Sequence, residues 1–128
     1  MNETLSLWHQ CVQSKDFSRL EDILAEDCIF LSPVVHTPQV GRDITALYLA
    51  GAIQVLGNNF RYIKEVVSGH HAVLEFNCEV DDILVNGVDI MTFNEQGKIV
   101  EFKVMLRPLK AVNLVHARMG EMLQKLSA

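Results

Sequence analysis

The stretch Val85–Pro108, VNGVDIMTFNEQGKIVEFKVMLRP, decides the fold. β-Branched and aromatic residues alternate with polar ones on both sides of Asn94-Glu95-Gln96-Gly97, which predicts two long strands joined by a tight turn. One carboxylate interrupts the first strand: Asp89, among Val88, Ile90 and Met91. In apolar company a carboxylate finds a partner or shifts its pKa upward. Asp89 is therefore the leading candidate for chemistry.

Upstream, His71–Val80 alternates cleanly. Ala72, Leu74, Phe76, Cys78 and Val80 share one face, and His71, Val73, Glu75, Asn77 and Glu79 the other, as in a strand with one side on a core. Two turns compete for the connection to Asp89. Asn86-Gly87 is the stronger hairpin signal. Asp81-Asp82 is the alternative and leaves one strand from Ile83 to Phe93, with Asn86-Gly87 as a bulge. A further strand is predicted over Phe60–Val67, ended by Ser68-Gly69. The last strand spans Lys98–Leu106, with Val100, Phe102, Val104 and Leu106 on one face.

The flanks read as helices. Leu5, Trp8 and Val12 define a helix over 4–14 that Thr4 can cap. A second runs from Ser18 to Glu26-Asp27, with Ser18 and Glu21 as a capping box, followed by a short strand over Cys28–Leu31 that Ser32-Pro33 ends. A third begins at Asp43 as N-cap and stops at Gly57. Pro108 fits the first turn of a closing helix over 108–126. There Val112, Val115, Met119, Met122 and Leu126, spaced 3, 4, 3, 4, form a narrow seam for the sheet or another subunit. The sum is one α+β domain over 1–128: N-terminal helices packed in a strongly curved, mostly antiparallel sheet, and a C-terminal helix.

The 128 residues are 49% hydrophobic and 21% charged, enough for one core. The formal charge of −5 argues against nucleic acid and anionic membrane surfaces as partners. Cys11, Cys28 and Cys78 are too widely spaced for a zinc or redox motif and read as reduced thiols of a cytoplasmic protein. The N-terminus has no basic signal region, and no apolar run reaches the length of a membrane span. No phosphate-binding glycine loop or metal-spaced cluster occurs, so no cofactor is expected. His70 and His71 are adjacent and point to opposite faces of a strand.

Several local strings carry a resemblance: Lys15-Asp16-Phe17, Leu24-Ala25-Glu26-Asp27 before Cys28-Ile29-Phe30, then Ser32-Pro33, Gly41, and Phe93-Asn94-Glu95-Gln96-Gly97-Lys98-Ile99. In this order and spacing, over about residues 4 to 107, the chain resembles the NTF2-like superfamily and, within it, the SnoaL-like bacterial proteins. The resemblance implies a cone-shaped α+β domain with an interior pocket, dimerisation through the outer sheet face, and the turn at Asp81-Asp82. The superfamily includes ketosteroid isomerase. By resemblance its buried acid falls on Asp89, its phenol donor on Trp8 and its general base on Ser32, so one position of three keeps its chemistry. A serine is no base near neutral pH without a partner.

Three functions follow as expectations. The first is binding of a small, largely apolar organic molecule. Leu49, Leu74, Phe76, Phe102, Val104 and Leu106 then form the walls, and Trp8, Ser32, His36 and Asp89 the orienting contacts. The second is an isomerase-, cyclase- or hydratase-type enzyme without metal, with Asp89 as acid and His36 as base. The third is a non-catalytic dimer scaffold. Glu75, Asn77, Glu79, Glu101 and Lys103, with Val66, Val73 and Met105, make the expected homodimer face.

Overall fold

Period-two patterning sorts the strand side chains to two sides, and that sorting builds the molecule. The structure is a computed structural model that describes residues 2–127, with side chains for 3–126. Its elements are α1 (Asn2–Ser14), α2 (Leu20–Ile23), β1 (Leu24–Leu31), β2 (Gln39–Val40), α3 (Arg42–Leu56), β3 (Arg61–Ser68), β4 (His71–Val80), β5 (Ile83–Phe93), β6 (Ile99–Arg107) and α4 (Leu109–Ser127). The strands form one sheet in the order β2-β1-β6-β5-β4-β3. β1 pairs parallel with β6, and the other pairings are antiparallel. Register shifts between Leu24 and Ile29, Tyr62 and Lys64, and Thr92 and Phe93 bend the strands. The sheet curves around the helices into the cone expected from the sequence.

On β4, Ala72, Leu74, Phe76 and Cys78 are at most 1% exposed, facing the core as their alternation predicts. α1 crosses the concave side. Its Trp8 ring lies 4.9 Å from the Phe102 ring, and Thr4 Oγ1 donates to the Gly97 carbonyl at 2.5 Å. α4 closes the structure with Ala111, Val115 and Met119, all buried, so that of the seam read from the sequence Val115 and Met119 pack within this chain while Val112, Met122 and Leu126 stay partly exposed. A Cβ at Gly51 on α3 would sit 3.3 Å from Met119 Cε, a measure of how closely α3 and α4 approach. Arg118 Nη2 lies 2.5 Å from Asp81 Oδ2 and ties α4 to the β4–β5 turn. Among the described residues no helix is long and apolar enough to cross a membrane.

Tertiary pairing overrides several local signals. The second helix is a single turn, because Leu24 pairs with Ile99 and Leu24 and Ala25 bury themselves in the sheet. Its capping box does not form: Arg19 is the N-cap, and the Ser18 amide donates to Asp16 Oδ1 at 3.0 Å. Thr4 lies inside α1 instead of capping it. Gly41, at φ 115°, caps α3, and Asp43 sits in the first turn, where an acid favours the helix dipole. Asp81-Asp82, at φ 49° and 66°, makes the hairpin turn. β5 then pairs with β4 without interruption from Ile83 to Thr92, so Asn86-Gly87 is not a bulge. Gly87 serves close approach. A Cβ there would meet Phe76 Cζ at 2.4 Å and the Met105 carbonyl oxygen at 2.9 Å.

Candidate functional site

Asp89 faces inward because Val85, Gly87, Asp89, Met91 and Phe93 share one side of β5, all buried. Its residue exposure is 5%. Tyr62 reaches it from β3 across β4. Tyr62 Oη donates to Asp89 Oδ2 at 2.5 Å, and Trp8 Nε1 donates to Tyr62 Oη at 2.8 Å. Among the described residues Tyr62 is the one side-chain donor to this carboxylate. Burial pushes the Asp89 pKa up to about 7, against the opposing Tyr62 hydrogen bond. Burial, then the Asp89 charge, hold the Tyr62 phenol well above its ordinary range, so it remains a donor. Near neutral pH Asp89 populates both forms: the ionised one accepts hydrogen bonds, and the protonated one donates one.

Asp89 lines a cavity of about 30 Å³, with Trp8, Leu49, Phe76, Phe102 and Val104 around it. A second cavity of about 130 Å³ lies toward α4, between Phe30, Ser32, Tyr48, Leu106 and Val115. Ala52, Leu56 and Val104 line both, which makes them neighbouring compartments of one interior. The inner one has the room of roughly one water molecule. The outer approaches the roughly 150 Å³ of an apolar cavity that accepts benzene.

The structure brings together most of the residues singled out above. Trp8, Leu49, Phe76, Phe102, Val104 and Asp89 line the inner cavity, and Ser32, Val104 and Leu106 the outer. Leu74, fully buried beside Asp89 on the neighbouring strand, lines neither. His36 is exposed on the β1–β2 loop and also lines neither cavity, so an Asp89–His36 acid–base pair is not assembled. The local cause is Ser32. Its Oγ accepts from the Val34 and Val35 amides at 3.1 and 3.3 Å. That turn keeps Val34 and Val35 on the outer cavity and leaves His36 outside.

Read from the sequence, Tyr62, Tyr48, Ala52 and His116 are not marked as site residues; Tyr48 and Ala52 stand out only as apolar positions of the third helix. Tyr62 carried a usable signal: it shares the inner parity of its strand with Phe60, and a buried phenol needs a partner. His116, one position past the α4 seam, carried none. Tyr62→Phe is expected to strand both Trp8 Nε1 and Asp89. It should destabilise the chain by about 1–3 kcal/mol and raise the Asp89 pKa, because the hydrogen bond that lowers it is gone. Chemical denaturation and a carboxyl-carbon NMR titration read these two effects.

Outside, the convex sheet face has a shallow concavity lined by Lys64, Val66, Val73, Glu75 and Met105. Val66 is 60% and Met105 50% exposed. Asn86 Nδ2 lies 3.0 Å from Glu75 Oε2 and 2.9 Å from Asn77 Oδ1 on the same face.

Residues 6–102 match the family model described as the SnoaL-like domain. Among solved structures, a steroid delta-isomerase from Pseudomonas aeruginosa is similar at 32% identity. It covers 99% of this chain and 94% of its own, with a TM-score of 0.94. An uncharacterised protein with a cystatin-like fold from Silicibacter pomeroyi is 35% identical over 94% of this chain and 85% of its own, at a TM-score of 0.88. An NTF2-like protein of unknown function from Mesorhizobium loti shares the fold: 22% identity, 84% and 90% coverage, TM-score 0.75. No curated protein matches the chain.

Proposed function

Because the chain belongs to the SnoaL-like domain family, we propose that it binds a small, largely apolar organic molecule in the interior between Asp89 and α4. The observation that carries this reading is an apolar two-compartment interior with one titratable carboxylate at its inner end. Trp8, Leu49, Phe76, Phe102 and Val104 are the proposed walls, and Ser32 and Leu106 belong to the outer part. The scale of the outer compartment favours a ligand with one ring over a fused-ring skeleton.

Calorimetric titration with 2-phenylethanol tests the reading. Saturable binding is expected, with a Kd between about 10 μM and 1 mM for so few atoms. Ala52→Leu fills the junction of the two compartments and should weaken binding at least about tenfold. Binding unchanged in a folded Ala52→Leu variant would place the ligand elsewhere.

A second reading, isomerisation by proton transfer, draws on the 32% identical relative named a steroid delta-isomerase. With a pKa of about 7, Asp89 can take up and return a proton near neutral pH without a second residue. A one-ring β,γ-unsaturated ketone is the test substrate. Conversion that survives Asp89→Asn would sink this reading.

The exposed Val66, Val73 and Met105 support a homodimer through the convex face. Light scattering at micromolar concentration should give twice the chain mass, and a monomer would refute the interface. Cytoplasmic residence is supported by three buried free cysteines.

A further inference from the structure

We propose that the ligand is a one-ring carboxylate whose carboxylate group sits in the outer cavity against Ser32, Tyr48 and His116, with its apolar part toward Asp89. This rests on the interior being the binding site.

The argument begins with what the outer cavity lacks. The chain carries 16 acidic residues and a net charge of −5, yet no Asp or Glu lines that cavity. Each of its polar side chains, Ser32, Tyr48 and His116, can donate a hydrogen bond. Ser32 Oγ already accepts two backbone amides, so its hydroxyl hydrogen is what it has left to offer. Tyr48 is half-buried with its ring 5.5 Å from that of Phe30, and among the described residues its hydroxyl has no partner. His116 stands exposed on α4 at the edge of the same cavity and offers a ring N–H.

Three donors without a resident acceptor suit a group that only accepts. A carboxylate supplies about four lone-pair sites on two oxygens, and hydrogen bonds to it are charge-assisted. The cavity's size and apolar walls fit one ring beside that group. Orientation follows from where the donors stand. Ser32, Tyr48 and His116 all line the outer cavity, whereas at the inner end the Tyr62 hydroxyl already donates to Asp89 and the Trp8 N–H to Tyr62. The ligand's charge therefore stays outside and its ring goes in.

Matched probes test this on the full chain: phenylacetate and 2-phenylethanol, titrated by calorimetry at pH 7. Phenylacetate is expected to bind at least about tenfold tighter. Tyr48→Phe and His116→Leu, each removing one donor, should each weaken phenylacetate about fivefold or more and leave 2-phenylethanol within about twofold. The proposal is overturned if 2-phenylethanol binds as well as phenylacetate, or if the variants weaken both probes alike. If the alcohol binds and the acid does not, this assignment fails while the interior site stands. If neither binds, the interior site fails and the assignment with it.

Discussion

Asp89→Asn is expected to stabilise the protein at pH 8 and to leave it unchanged, within about 1 kcal/mol, below about pH 4. The carboxylate is buried, and its pKa stands at about 7 against an ordinary 3.8. Between those two values the folded chain holds more protons on this group than the unfolded chain, so stability falls as pH rises through the window. Below it both states are protonated and the group contributes nothing. Above about 7 the penalty is complete and corresponds to about 4 kcal/mol. Asparagine keeps an oxygen for Tyr62 to donate to and carries no charge. It should therefore recover about 2–4 kcal/mol at pH 8, roughly 10 °C in Tm. Urea denaturation of both chains at pH 4, 6 and 8 reads the difference directly. A constant difference across that range would mean that Asp89 titrates normally.

Gly87→Ala should have a comparable effect in the opposite direction, a loss of about 2–4 kcal/mol. The added methyl would meet Phe76 Cζ at 2.4 Å, Leu106 Cδ2 at 2.7 Å and the Met105 carbonyl oxygen at 2.9 Å. Phe76 is fully buried and the carbonyl belongs to the paired β6 strand, so neither gives way cheaply. The strain falls on the cavity wall, since Phe76 lines the inner compartment and Leu106 the outer. Asn86→Ala, one residue away on the other face, is the control and should lose only about 1 kcal/mol. A near-neutral Gly87→Ala would mean that the sheet can spread locally.

Most of the fold was legible because strand parity is a strong signal. The alternation in His71–Val80 assigned inner and outer faces correctly, and the two long strands around Asn94–Gly97 are β5 and β6. Local signals failed where one residue type serves two ends. Asn86-Gly87 reads as a turn because glycine accepts positive φ, but here Gly87 is needed for its missing Cβ. The helix-forming run around Leu24 was overruled by pairing with β6. Within the site, Asp89 was identifiable from its neighbours in sequence. Its partner Tyr62 lies two strands away, and only the β3–β4–β5 register brings them together. His36 drew attention by chemistry alone. The Ser32 turn that leaves it outside is a three-dimensional fact.

The most direct test of the interior site is a side-chain carboxyl NMR titration of Asp89, alone and with saturating 2-phenylethanol. The arrangement described here requires a pKa near 7 in the free chain. A ligand that excludes water from the cavity should move it by at least about half a pH unit. An Asp89 that titrates near 4 and ignores the ligand would contradict both its burial and its place in the site.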